Sequence, residues 1–231
     1  MGKTIMLFIL ILSLSGCKEQ GVVIPVPDTQ LEGVKGKVKS RVATSFVALL
    51  GAASKQITLY DEQGYKISEE VLLDEIKTGE YSLLARMEYT PYQDSTRISK
   101  TYGADHKLYD VTTTKWLTRD EYMTTIDNEE EKGEMHKEVV KTDDKGRQSY
   151  KVVLREYIGK SQVDIISKNI YEYDDKGYKV LEKSSFMTES YGKIKVTNLT
   201  FDKYANIVRQ KISSEDIDAN YEVEYTYEYY E

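Results

Sequence analysis

One short pattern, aromatic-Asp-x-x-Gly, recurs along the chain, and each copy separates two runs of strand-forming residues. The copies align as Tyr60-Asp61-Glu62-Gln63-Gly64, Tyr102-Gly103-Ala104-Asp105-His106, Thr142-Asp143-Asp144-Lys145-Gly146, Tyr173-Asp174-Asp175-Lys176-Gly177 and Phe201-Asp202-Lys203-Tyr204-Ala205. Their first residues lie 42, 40, 31 and 28 positions apart. Aspartate at the head of such a turn accepts a hydrogen bond from a backbone N–H two residues on. The residue at the glycine position takes a positive φ, which glycine adopts without steric cost. The pattern therefore predicts a series of hairpins. Two copies lack the glycine, with His106 and Ala205 at its position. Histidine tolerates positive φ better than most residues. Alanine there costs ~1–2 kcal/mol, so the fifth turn is expected to move its positive φ to Asn206.

The runs between the turns alternate with period two. Tyr221, Val223, Tyr225, Tyr227 and Tyr229 interleave with Glu222, Glu224, Thr226 and Glu228, which places aromatics on one face and polar groups on the other. Tyr150, Val152 and Leu154 alternate in the same way, as do Tyr65, Ile67, Val71 and Leu73 with Glu69 interrupting. Strands are expected at 35–48, 55–60, 65–73, 81–89, 96–102, 107–116, 134–142, 147–157, 163–173, 178–187, 193–201, 206–213 and 219–230. One or two helical turns over Val47–Ala53 are the alternative there. Short connections make successive strands antiparallel neighbours. The fold class is thus all-β, an antiparallel meander of repeated hairpins forming one strongly curved sheet or half-barrel, because open sheets this wide curl. Tyrosine occurs 20 times and phenylalanine 4 times, which favours a thin sheet still touched by water over a thick dry core.

Residues 1–16 have a different character. Lys3 precedes the apolar run Ile5–Leu12, which is too short for a bilayer-spanning helix of ~20 residues and marks a signal peptide. Leu14-Ser15-Gly16-Cys17 resembles the bacterial lipobox. The resemblance implies cleavage before Cys17, lipidation of its thiol and attachment to an envelope membrane. Cys17 is the sole cysteine, so no internal disulfide is available. Lys18-Glu19 is similar to surface-export signals of Bacteroidota lipoproteins, with Gln20 standing where a second acid is expected. An outer-membrane lipoprotein on either the surface or the periplasmic face is the expected location. Residues 17–33, with Pro25, Pro27, Gly21 and Gly33, read as an extended tether. An edge strand at Val22–Ile24 is the other possibility. Residues 34–231 form the β-repeat domain. The formal charge of −7, more negative once Lys3 is removed, argues against nucleic acid and anionic lipid as main partners.

The turns beginning at Tyr60, Tyr173 and Phe201 resemble YD (Rhs-type) repeats, and Leu31–Val38 is similar to the opening of Bacteroidota lipoproteins carrying such repeats. The resemblance implies stacked antiparallel hairpins over about residues 55–231. It implies no activity.

Little in the chain points to catalysis. His106 and His136 belong to different hairpins, and no Gly-x-Ser-x-Gly elbow is present. No cofactor, catalytic or metal residue is assigned. The acidic run Asp127–Glu134 lacks the ligand spacing of an EF-hand and reads as a solvated loop. Asn198-Leu199-Thr200 matches a glycosylation sequon by chance. Trp116 and the tyrosine stripes are candidates for stacking on sugar rings, with packing of the sheet as the competing role. The expectation is a non-catalytic, lipid-anchored binding or scaffold module. Its partners would be the membrane through its anchor and a glycan or envelope protein. A carrier of lipid or another amphiphile is the alternative, and a hydrolase the third choice.

Overall fold

A computed structural model describes residues 23–47, 52–74, 78–128, 133–187, 192–214, 216 and 219–231. The signal peptide and Cys17 lie outside the described residues. A four-residue helix, α1 (Asp28–Leu31), precedes fourteen strands. These are β1 (Val38–Val47), β2 (Ala52–Tyr60), β3 (Lys66–Asp74), β4 (Ser82–Tyr89), β5 (Thr96–Gly103), β6 (Leu108–Trp116), β7 (Glu121–Asn128), β8 (Glu134–Thr142), β9 (Gln148–Tyr157), β10 (Val163–Tyr173), β11 (Lys179–Phe186), β12 (Gly192–Phe201), β13 (Ile207–Ser214) and β14 (Ala219–Tyr229). Each pairs antiparallel with its neighbours in sequence, and β1 pairs with β14 to close the barrel.

Closure corrects the expected curved sheet or half-barrel, and one strand explains the difference. The expected set had thirteen members and omitted β7, treating the residues before β8 as loop. In a meander the first and last strands run antiparallel only when the strand number is even. With β7 present, Arg41 faces Tyr227 and Ala43 faces Tyr225 across an antiparallel seam. Asp127 and Asn128 thus end a strand, while residues 129–132 of the acidic run lie outside the described residues. Val47 ends β1 and Ala52 opens β2, so those two residues are strand; residues 48–51 between them are not described.

Successive connections alternate between the two ends of the barrel. The turns after Asp61, Asp143, Asp174 and Asp202 therefore share one end, called here the turn end, and the turn at 103–106 lies at the opposite end. In the first group each Asp Oδ1 accepts from the backbone N–H four residues on, at 2.8–2.9 Å. Gly64, Gly146 and Gly177 have positive φ as expected. Ala205 does too, with φ +63°, which corrects the assignment to Asn206. The reason is the work that Asn206 does. It is 1% exposed, its amide donates to the Lys35 carbonyl and to the Tyr229 hydroxyl, and its Oδ1 accepts from Lys35 N–H at 2.6 Å. Moving the positive φ to Asn206 would break those bonds, and leaving buried polar groups unmet costs about as much as the alanine strain.

Alternation along each strand assigns an inner and an outer face. Tyr221, Val223, Tyr225 and Tyr227 point inward, with Val196 and Ile212 joining Val223 in a buried cluster. The outer face carries charge at the middle of many strands: Arg86 and Glu88, Lys100, Lys183, Lys195, Arg209 and Lys211, Glu222 and Glu224. Several of these pair across strands, such as Arg209 with Glu222 and Lys183 with Glu172.

Candidate ligand site in the barrel interior

The turn end is closed by the N-terminal segment. Residues 23–33 were expected to be an extended tether; instead, they pack into the barrel mouth as a strap. Val23, Val26 and Leu31 lie on Trp116, Tyr122 and Val140. Asp28 is 6% exposed and accepts two hydrogen bonds from the Arg97 guanidinium, at 2.7 and 2.8 Å. Thr29 N–H donates to the Gly64 carbonyl, and Gln30 Nε2 donates to the Lys145 carbonyl. A Cβ at Gly64 would lie 2.3 Å from Thr29 Oγ1, and one at Gly146 would lie 2.6 Å from Gln30 Nε2. These two glycines therefore serve both the turn and the strap's close approach. Apolar burial and ion pairing offset the ordering entropy that a proline-rich segment would otherwise keep.

Glu32 extends from the end of α1 into the barrel. It accepts from the Tyr60 hydroxyl at 2.6 Å and pairs with Arg41 at 2.9 Å and Lys66 at 2.8 Å. Lys66 also pairs with Glu69, the residue that interrupts the apolar alternation of β3. Burial by itself would raise the Glu32 carboxyl, but Lys66 and Arg41 outweigh it and hold the group at about 2, against an ordinary 4.5. Burial and the facing Glu32 carboxylate push the Tyr60 phenol far up, so it stays a donor.

Below the strap lies a cavity of about 340 Å³. Leu31, Glu32, Gly33 and Val34 form its roof, and Arg41, Gln148, Tyr171, Tyr173, Gln210, Tyr225 and Tyr227 are among its walls. Gln210 Nε2 donates to the Tyr225 hydroxyl, Tyr227 donates to the Ile207 carbonyl, and Tyr173 donates to the Gln148 carbonyl. The lining is aromatic and polar in alternation and is not a continuous aliphatic surface.

Trp116 stands elsewhere from where a sugar platform would need it. It is 2% exposed, its ring packs 4.8 Å from that of Tyr122, and its Nε1 donates to the Tyr92 hydroxyl. The strap covers it, so stacking on a ligand at the surface is replaced by a core role. The two histidines remain apart. His106 occupies the turn between β5 and β6, with φ +61°, and His136 lies in β8 opposite Ile126. Among the described residues no group of His, Cys, Asp and Glu is arranged to hold a metal ion. Asn198 lies in β12, where its amide donates to the Lys179 carbonyl. Tyr225 and Tyr227 belong to the stripe read from the sequence, whereas Arg41, Gln148 and Gln210 went unnamed because a polar inward position has no local mark. Glu69, an acid breaking an apolar stripe, was the one visible sign of an ionic interior.

The class defined by this geometry is a closed fourteen-stranded antiparallel β-barrel, strapped at one end by its own N-terminal segment and polar within. A solved structure described as a porin-like protein from Bacteroides uniformis ATCC 8492 is similar to it, with a TM-score of 0.50 and 8% sequence identity over 84% of this chain and 99% of that one. At that identity the likeness concerns the fold alone. No known family profile matches the chain, and no curated protein does.

Proposed function

We propose that this chain is a non-catalytic lipoprotein of the outer envelope, held to the membrane by lipid on Cys17, whose barrel stands in water and holds a polar ligand inside. The observation that carries this reading is the charge on the outer wall, where a membrane barrel carries an apolar band. A membrane barrel presents an apolar band ~25 Å tall to lipid, and each Lys or Arg at its midplane costs ~2–4 kcal/mol. Here Arg86, Lys100, Lys183, Lys195, Arg209 and Lys211 all face outward. Were all six at the midplane, their combined cost would be ~12–24 kcal/mol, as much as or more than the whole stability of a typical domain. The lipobox-like Leu14–Cys17 supplies the membrane attachment that the barrel wall does not. The porin-like neighbour is compatible with an envelope location, and the YD-like turns with a hairpin-repeat ancestry.

Part of a polysaccharide suits such an interior better than an acyl chain does. An amphiphile carrier needs a continuous apolar cavity, whereas this one is edged by Arg41, Gln148 and Gln210. The test is fractionation. Native protein should carry an acylated Cys17 by mass spectrometry, and Cys17→Ser should yield a protein that is soluble without detergent or still carries its uncut leader. Membrane retention of that variant, together with conductance in planar bilayers, would overturn the reading in favour of a spanning barrel. Phospholipid co-purifying inside the barrel would favour the carrier.

A further inference from the structure

The charge balance and the open hydrogen-bonding atoms of the strapped cavity narrow its ligand further. Both cations on its wall are already neutralised. Arg41 pairs with Glu32 at 2.9 Å, and Lys179 pairs with Glu182 at 3.2 Å. An anionic ligand would have to displace one of those carboxylates, and a cationic ligand would meet Arg41 and Lys179. The site therefore favours a neutral molecule.

Donors and acceptors nevertheless remain open. Arg41 Nε is buried and has no hydrogen-bond partner among the described residues. The Tyr171 hydroxyl, on the cavity wall, makes no hydrogen bond among the described residues. Burial beside Glu182 keeps that phenol protonated and able to donate. Gln148 uses its Nε2 on the Tyr122 hydroxyl, and Gln210 uses its Nε2 on the Tyr225 hydroxyl. Each amide keeps its side-chain oxygen as an acceptor. Two donors and two acceptors thus surround a space walled by tyrosine rings, with Tyr225 and Tyr227 stacked at 6.4 Å. Arg41 Nε is the one of these four that is fully buried and unmet, which is costly, so a ligand that accepts from it has a specific advantage.

Hydroxyl groups that both donate and accept, on a compact ring with apolar C–H faces, are the chemistry that fits. The volume of about 340 Å³ is at the small end of ligand pockets, which run ~300–1,000 Å³. We infer that the cavity beneath the strap binds one or two units of a neutral sugar, seated against Tyr171 and Tyr225 and hydrogen-bonded by Arg41, Gln148 and Gln210. This rests on the proposal that the interior holds a polar ligand, and it places that ligand at the turn end rather than along the whole barrel.

The experiment is calorimetric titration of the lipidated full chain, in a detergent without a sugar headgroup. The probes are neutral mono- and disaccharides (hexoses, deoxyhexoses and N-acetylhexosamines), with the matching uronic acids for comparison. At least one neutral sugar should bind, and its uronic acid should bind more weakly. Tyr171→Phe should weaken it about three- to tenfold, the loss of one hydrogen bond, with the melting temperature unchanged. Absence of binding by every neutral sugar at millimolar concentration would sink the inference, as would tighter binding of the uronic acids. Sugar binding that is indifferent to Tyr171→Phe and Gln210→Leu but lost in Asn169→Leu, further along the barrel wall, would reject this cavity and leave the proposed function standing. If only lipid is found inside, both fail.

Discussion

Arg97 on β5 and Asp28 on α1 form a doubly hydrogen-bonded ion pair, Nη1 to Oδ2 at 2.7 Å and Nη2 to Oδ1 at 2.8 Å, which fastens the strap to the barrel wall. The guanidinium lies over Tyr89 and Tyr92, with ring centroids 4.9 and 4.8 Å away. Asp28 Oδ2 also accepts from Lys66 N–H. Removing one partner of a buried pair strands the other charge and costs ~3–5 kcal/mol. Asp28→Ala should therefore lower stability by that order in a denaturant melt. Pairing it with Arg97→Met should recover part of the loss, and a double variant no better than the sum of the singles would show that the two do not couple.

Trp116→Ala is expected to be among the most damaging changes in the chain. The ring is covered by the strap and touches Tyr122, Tyr92 and the Val140 cluster. Truncating a buried tryptophan costs ~3–5 kcal/mol. Thermal melting measures it, and a variant as stable as the parent would mean that the strap does not dock in solution.

Gly177 and Lys176 offer a test of the turn register. Gly177 has φ +91°, and an added Cβ would press on Arg147 at 3.0 Å. A β-branched residue is a severe misfit at positive φ. Gly177→Val should melt well below Lys176→Val, whose position is exposed. Equal melting temperatures would contradict the turn described above.

Acid should loosen the strap before it melts the barrel. The Glu32 carboxyl sits at about 2 in the folded protein against an ordinary 4.5, so its contribution is complete above 4.5 and is lost as pH falls from there toward 2. The shift corresponds to an upper bound of ~3 kcal/mol. Hydrogen exchange of residues 28–34 should accelerate across that window, ahead of strand amides. Glu32→Gln should show weak protection already at neutral pH. Strap and strands exchanging in step at every pH would be the contrary result.

Much of the local structure was legible in the residues alone. Period-two alternation identifies β14, and Asp with Gly three residues on identifies the turns, because strand and turn preferences act over two to five residues. Alternation does not say which face is inside. Tyr150, Val152 and Leu154 look like the stripe from Tyr221 to Tyr229, yet they face outward, while Lys151 points in beside Val140 and pairs diagonally with Glu138 on β8. That choice depends on where the sheet closes. Closure depends in turn on β7 making the strand number even and on β1 meeting β14 across nearly the full chain length. The strap follows the same logic. Pro25 and Pro27 favour extension locally, and only a finished barrel mouth, with Arg97, Lys66 and Trp116 brought together from separate strands, offers the burial and ion pairing that hold the segment in place.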